Sequence, residues 1–82
     1  MRLAITRKAQ KQLDRIPDQV ARKIIKEVLQ LKENPYPHSS KKLSGQDNYR
    51  LRIGTFRVIY FFDKKDKEIV ILRVAHRREV YL

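Results

Sequence analysis

The chain has 82 residues, enough for one domain that buries only about 60–65% of the surface its unfolded form exposes, so its core must be economical. Lysine and arginine number 20 against 9 aspartates and glutamates, a formal charge of +11; with 41% hydrophobic residues, that excess decorates a folded domain and points to a polyanionic partner, nucleic acid first. The absence of cysteine excludes disulfides and thiolate chemistry, and no stretch has the apolar length of a signal peptide or a membrane span, so a cytoplasmic protein is expected.

In "RLAIT", residues 2–6, Leu3 and Ile5 alternate on one face, which predicts a short strand, and Thr6 stands where a helix N-cap belongs. Ala9, Leu13 and Ile16 then recur at i, i+4 and i+7, the stripe of a first helix that Pro17 interrupts. A second helix is expected over about 17–33, with Val20, Ala21, Ile24, Val28 and Leu31 on one face and Ile25 and Leu29 widening it. Its end is set by "NPYP", because a residue before proline is steered out of helical geometry.

The connection "NPYPHSSKKLSGQD" is long for so small a domain, with Leu43 expected to pin its middle. After it Tyr49, Leu51 and Ile53 alternate with Arg50 and Arg52, Gly54 and Thr55 form a turn, and "FRVIYFF" follows, the pattern of a hairpin. The turn "DKKDKE" leads into a third apolar run, "IVILRVA". The predicted order is β-α-α-β-β-β: an α+β domain over 1–82, its N-terminal strand and helical hairpin packed on one face of an antiparallel sheet.

If Tyr49, Leu51 and Ile53 face the helices, Arg50 and Arg52 stand together on the open face. Arg57 shares parity with Ile59 and Phe61, and Arg73 with Ile69 and Ile71; both can add to that face. Adjacent cations repel each other until a polyanion neutralises them, although a solvated outer face also fits Arg50 and Arg52, and a snorkelling or carboxylate-paired role fits Arg73. Lys41, Lys42 and His38 read first as solvated loop residues.

His76 differs, since it ends a strand beside Arg77 and Arg78 and five residues before Tyr81, and imidazole titrates near neutral pH. No paired carboxylates, glycine-rich phosphate loop or serine triad accompany it, and no metal site or cofactor is expected. A cationic sheet face with one histidine and one tyrosine suits stabilising a phosphorane-like charge during attack by an RNA's own 2′-hydroxyl. Continued extension would place Arg73, Arg77 and Tyr81 on one face and His76 on the other, so a shared site for His76 and Arg77 requires the strand to end or bulge near Ala75.

The stretch "KLSGQDNYRLRIGTFRVIYFFDKKDKEIVILRVAHRREVY" resembles the RelE family of toxins from type II toxin–antitoxin modules, and residues 2–33 fit that family's strand and helical hairpin. The resemblance implies an mRNA endonuclease acting in the ribosomal A site, monomeric when free, and a RelB-like antitoxin that wraps it into a hetero-oligomer. By motif, Arg50 and Arg52 match the two basic positions of the second strand and Arg57 the arginine at the scissile phosphate. Arg77 matches the cation near the leaving 5′-oxygen, Tyr81 the aromatic that orients the substrate, and His76 the histidine of the terminal turn. Lys41, Lys42, Arg73 and Arg78 would add nucleic-acid contacts. Some relatives carry lysine where Arg52 stands; arginine holds its proton too firmly to replace it as a base, which leaves proton transfer to His76. Two alternatives compete: a ParE-like protein that poisons gyrase without cleaving RNA, and a non-catalytic basic RNA-binding protein. The second is weakened because Tyr49, Phe56, Tyr60 and Phe62 share one strand parity, as core residues do.

Overall fold

The computed structural model describes residues 1–43 and 47–76. Local chemistry sets the first elements. Strand β1 (Arg2–Ile5) ends at Thr6, whose backbone stays extended at φ −65° and ψ 158° while its hydroxyl accepts the Ala9 amide at 3.2 Å, so helix α1 (Arg7–Asp14) begins with a true N-cap. Helix α2 (Asp18–Gln30) starts directly after Pro17, with Asp18 in its first turn where the helix dipole favours a carboxylate.

The sheet has five strands in the order β1-β5-β4-β3-β2, formed with β2 (Ser40–Lys42), β3 (Asn48–Ile53), β4 (Phe56–Asp63) and β5 (Glu68–His76). Two features differ from the expected antiparallel sheet. β1 joins as an edge strand parallel to β5, Arg2 opposite Glu68 through Ile5 opposite Ile71, so the sheet is mixed. The long connection also contributes β2, which pairs with β3, while Leu43 donates its amide to the Asn48 carbonyl at 2.9 Å. Gly54 adopts φ +58° in the two-residue turn between β3 and β4, the conformation a tight hairpin asks of its first turn residue.

Both helices lie on one face of the sheet. Ala9, Leu13, Ile24, Val28 and Leu31 pack against Leu51, Ile53, Val58, Tyr60, Ile69, Ile71 and Val74 in one core cluster, with Tyr49, Phe56 and Phe62 partly buried at its rim. Ile25 and Leu29 do not widen the buried stripe; they are 38% and 48% exposed, because the narrow sheet is covered by one side of α2 alone.

Tyr60 anchors the connection to the core. It is fully buried, and its hydroxyl donates to the Pro35 carbonyl. Burial pushes its phenol up from the ordinary tyrosine value. The folded state therefore holds the proton more tightly than the unfolded chain; stability is complete below about pH 10 and falls as pH rises through the higher folded value. Tyr60→Phe removes that alkaline sensitivity, and, by leaving the Pro35 carbonyl without its donor, costs about 1–3 kcal/mol at neutral pH, measurable by urea unfolding across pH.

Candidate nucleic-acid interface

Cross-strand partners point to the same face, so the register assigns every side chain a side. Tyr49 opposite Tyr60, Leu51 opposite Val58 and Ile53 opposite Phe56 face the helices. The residues between them face outward. Lys41 stands opposite Arg50, Arg50 opposite Ile59, and Ile59 opposite Arg73, so one row crosses four strands with three cations. The adjoining row is Arg52, Arg57 and Ala75.

The two rows thus bring five cations together from four strands. Among the described residues, the acidic pair of this face, Asp63 opposite Glu68, lies at its other end, beyond Asn48, Phe61 and Val70, and Glu68 is 3.9 Å from Arg2. Like charges directly opposite each other, as Lys41 with Arg50 and Arg52 with Arg57, destabilise a sheet unless an anion bridges them.

The cations differ in freedom. Arg52 and Lys41 are exposed and Arg50 and Arg73 half-buried, whereas Arg57 is only 4% exposed. Its Nη1 donates to the Gly54 carbonyl at 3.3 Å and the Phe56 carbonyl at 3.0 Å, which ties the guanidinium to the hairpin turn. Arg57 thus supplies a fixed positive charge from within the sheet, among side chains that are more exposed than it is.

Arg73 reaches this face through a bulge. Tyr60 pairs with Ile71 but Ile59 pairs with Arg73, so Leu72 is an extra residue in β5 and the strand's parity inverts there. Without that inversion Arg73 would share the helix side with Ile69 and Ile71. Two side chains from the first helical segment grip the site: Thr6 donates its hydroxyl to the Leu72 carbonyl at 3.2 Å, and the Val74 amide donates to Gln12 Oε1 at 2.7 Å. β1 ends opposite Ile71, so these side chains take over where the ladder stops.

The same inversion turns His76 toward the helices. It pairs with Phe56, their rings meet edge to face at 5.6 Å, and it lines a groove with Gln12, Arg15, Ile16 and Pro17. The bulge lies at Leu72 and not near Ala75, and β5 continues through His76, so the sheet separates His76 from Arg50, Arg52 and Arg57. Lys42, opposite Tyr49, also lies outside the rows, in a groove with Tyr36, Asp47, Tyr49, Phe61, Phe62 and Lys64. Arg77, Arg78 and Tyr81 fall outside the described residues. Among the described residues no cluster of histidine and carboxylate groups could hold a metal ion, and no helix is long and apolar enough to cross a membrane.

Three comparisons with known proteins bear on this arrangement. The family model described as the ParE toxin of the type II toxin–antitoxin system parDE matches residues 3–81. A protein of Methanocaldococcus jannaschii named for the toxin RelE1 is 35% identical over 81 residues, covering 94% of this chain and 90% of its own. The archaeal RelE–RelB complex of Pyrococcus horikoshii contains a chain 34% identical with a TM-score of 0.83, covering 93% of both chains. The toxin–antitoxin complex RelBE2 of Mycobacterium tuberculosis matches at 26% identity and the same TM-score, over 93% of this chain and 96% of the other. The chain therefore belongs to the RelE/ParE family of toxins from type II toxin–antitoxin systems.

Proposed function

We propose that this toxin is a ribosome-dependent mRNA endonuclease, held inactive by a RelB-like antitoxin that wraps it in a hetero-oligomer. The observation that carries the reading is the outward face of the sheet, where Lys41, Arg50, Arg52, Arg57 and Arg73 gather from four strands in two adjoining rows. In the reaction the 2′-oxygen attacks the adjacent phosphorus, the bond to the 5′-oxygen breaks, and a 2′,3′-cyclic phosphate remains. Charge builds on the non-bridging oxygens, where Arg50, Arg52 and Arg57 hold and neutralise it. Arg73 and Lys41 bind flanking backbone, Arg77 meets the departing 5′-oxygen, and Tyr81 orients the substrate.

Four of the five cations in the two rows are arginines, which do not serve as bases, Lys41 lies out on the edge strand, and His76 lies behind the sheet. The face thus stabilises charge and positions the phosphate, and the proton of the nucleophile leaves to water or to a ribosomal group. That division of labour favours dependence on the ribosome. Purified protein added to ribosomes programmed with mRNA is expected to cut the message with 2′,3′-cyclic phosphate ends and to leave free RNA nearly intact. His76→Gln is expected to retain cleavage, because the imidazole packs on Phe56; loss of cleavage with an unchanged melting temperature would restore it to the site.

The match to the ParE model supports a second reading, a protein that poisons DNA gyrase by binding it. A supercoiling assay run beside the cleavage assay separates the two, and inhibition of gyrase with messages left whole would replace the nuclease reading.

A further inference from the structure

A third groove lies where the cationic face meets the edge of the sheet. His38, Ser39, Ser40, Lys41, Arg50 and Arg52 line it, and none of the six is acidic. Read in the sequence, His38 is a histidine in a proline-bounded loop with no second ligand nearby. In the fold it sits beside two of the arginines that define the interface.

The segment that carries it is well tied down. The Ser40 amide and hydroxyl both donate to the Pro37 carbonyl, at 2.9 and 2.7 Å, closing a turn around His38 and Ser39. The Arg52 amide donates to the Ser39 carbonyl at 3.0 Å, which extends the pairing of β2 with β3 past the end of the strand. Proline 37 restricts the backbone before the turn. An exposed imidazole and an exposed hydroxyl are thus presented on a fixed support, so little ordering entropy opposes a contact with them.

The chemistry of the lining names its ligand class. Imidazole and hydroxyl offer hydrogen bonds suited to ribose and phosphate oxygens, and Lys41, Arg50 and Arg52 offer the charge that a phosphodiester needs. β2 lies two strand spacings, about 10 Å, from the strand that bears Arg57, so a phosphate here belongs to a different nucleotide from one held between Arg52 and Arg57. β2 is also the last strand of the sheet, and an RNA chain crossing the cationic face leaves it over this edge.

We propose that His38 and Ser39, together with Lys41, form a subsite for the sugar–phosphate of a nucleotide flanking the one at Arg52 and Arg57. The proposal rests on the RNA reading above and adds a determinant of binding to it. The test uses the full chain and a 2′-O-methyl RNA oligonucleotide, which lacks the nucleophile and cannot be cut. By fluorescence anisotropy, the double variant His38→Ala, Ser39→Ala is expected to bind this oligonucleotide about 5- to 30-fold more weakly than the wild type, and a 2′-O-methyl dinucleotide equally well. On ribosome-bound message KM rises and kcat is unchanged. Both side chains are exposed, so the melting temperature should not move. Equal oligonucleotide affinity in variant and wild type overturns the subsite. A fall in kcat at unchanged KM overturns it too, since it would put His38 on the reacting atoms. A wild type that neither binds the oligonucleotide nor cuts ribosome-bound message removes the nuclease reading and the subsite with it, whereas one that cuts the message with the double variant matching it in KM overturns the subsite alone.

Discussion

Alanine at both Arg50 and Arg52 should lower affinity for single-stranded RNA by about 10²- to 10⁴-fold at low salt, since each guanidinium lost is a charge-assisted contact worth about 1.5–3 kcal/mol. Because two phosphates then go unneutralised, the slope of log affinity against log salt should flatten by about 1.4, at about 0.7 per contact on a single strand. Cleavage should fall at least as far, because the same groups meet the charge that develops in the transition state. Stability should respond in the opposite sense at Arg52: it is exposed and stands directly opposite Arg57, so Arg52→Ala alone relieves a repulsion and leaves the fold unchanged or more stable by about 0.2–1 kcal/mol. Arg57→Ala is the control. That side chain is buried and bonded to the Gly54 and Phe56 carbonyls, so its loss should cost about 1–3 kcal/mol as well as activity. Undiminished RNA binding and cleavage by the Arg50→Ala, Arg52→Ala protein would remove the open face from the mechanism.

What could be read from the sequence, and what could not, follows from how each feature is encoded. The helices are local: Thr6 as cap, the Ala9 and Leu13 stripe and the Ile24, Val28 and Leu31 stripe each announce themselves within a few residues, and the structure has them. The hairpin of β3 and β4 is equally local, because strict alternation in "YRLRI" and the turn at Gly54 permit one register, and that register puts Arg50 and Arg52 outward. β1 pairing in parallel with β5 joins residues 66 positions apart and leaves no local trace. β2 is three polar residues, "SKK", whose pairing is carried by backbone alone; hydrophobic periodicity is silent there, and Lys41 therefore reads as loop, as His38 just before the strand does correctly. β5 is ambiguous for the opposite reason. In "IVILRVAH" both parities are apolar, so alternation does not say which face is inward, and the parity shared by Ile69, Ile71 and Arg73 holds only up to Leu72. That is why Arg73 joins the cationic face although its parity puts it with the core residues Ile69 and Ile71, and why His76 faces the helices.

The bulge is therefore the point on which one wall of the interface depends, and removing its grip should move the cations without changing any of them. Gln12→Met keeps the length of the side chain but deletes the acceptor of the Val74 amide, leaving a part-buried donor unsatisfied at a cost of about 1–3 kcal/mol. Thr6→Val keeps the shape but removes the hydroxyl that both caps α1 and donates to the Leu72 carbonyl, a loss of about 1–2 kcal/mol. The two grip neighbouring peptide groups, so their effects should couple, and a double variant at about 2–4 kcal/mol should melt well below the wild type, by about 4–8 °C per kcal/mol in a domain of this size. A merely weakened fold would stop at that. If the bulge sets the face of Arg73, the double variant should also bind RNA more weakly under conditions where it is fully folded, and nuclear Overhauser contacts between Arg73 and Ile59 should fade. Slippage to the unbulged register is strongly opposed, since it would carry Arg73 into the layer of Ile69 and Ile71 beneath the helices, where an uncompensated charge is costly; the response should be a frayed end of β5 and not a clean exchange of faces. Deleting Leu72 is the complementary test. It removes the extra residue yet leaves Ile69, Ile71 and Val74 inward and Arg73 outward, so RNA affinity should survive that deletion and fall in the Thr6→Val, Gln12→Met protein. Full affinity in the folded double variant would show that β5 holds its bulge without Thr6 and Gln12.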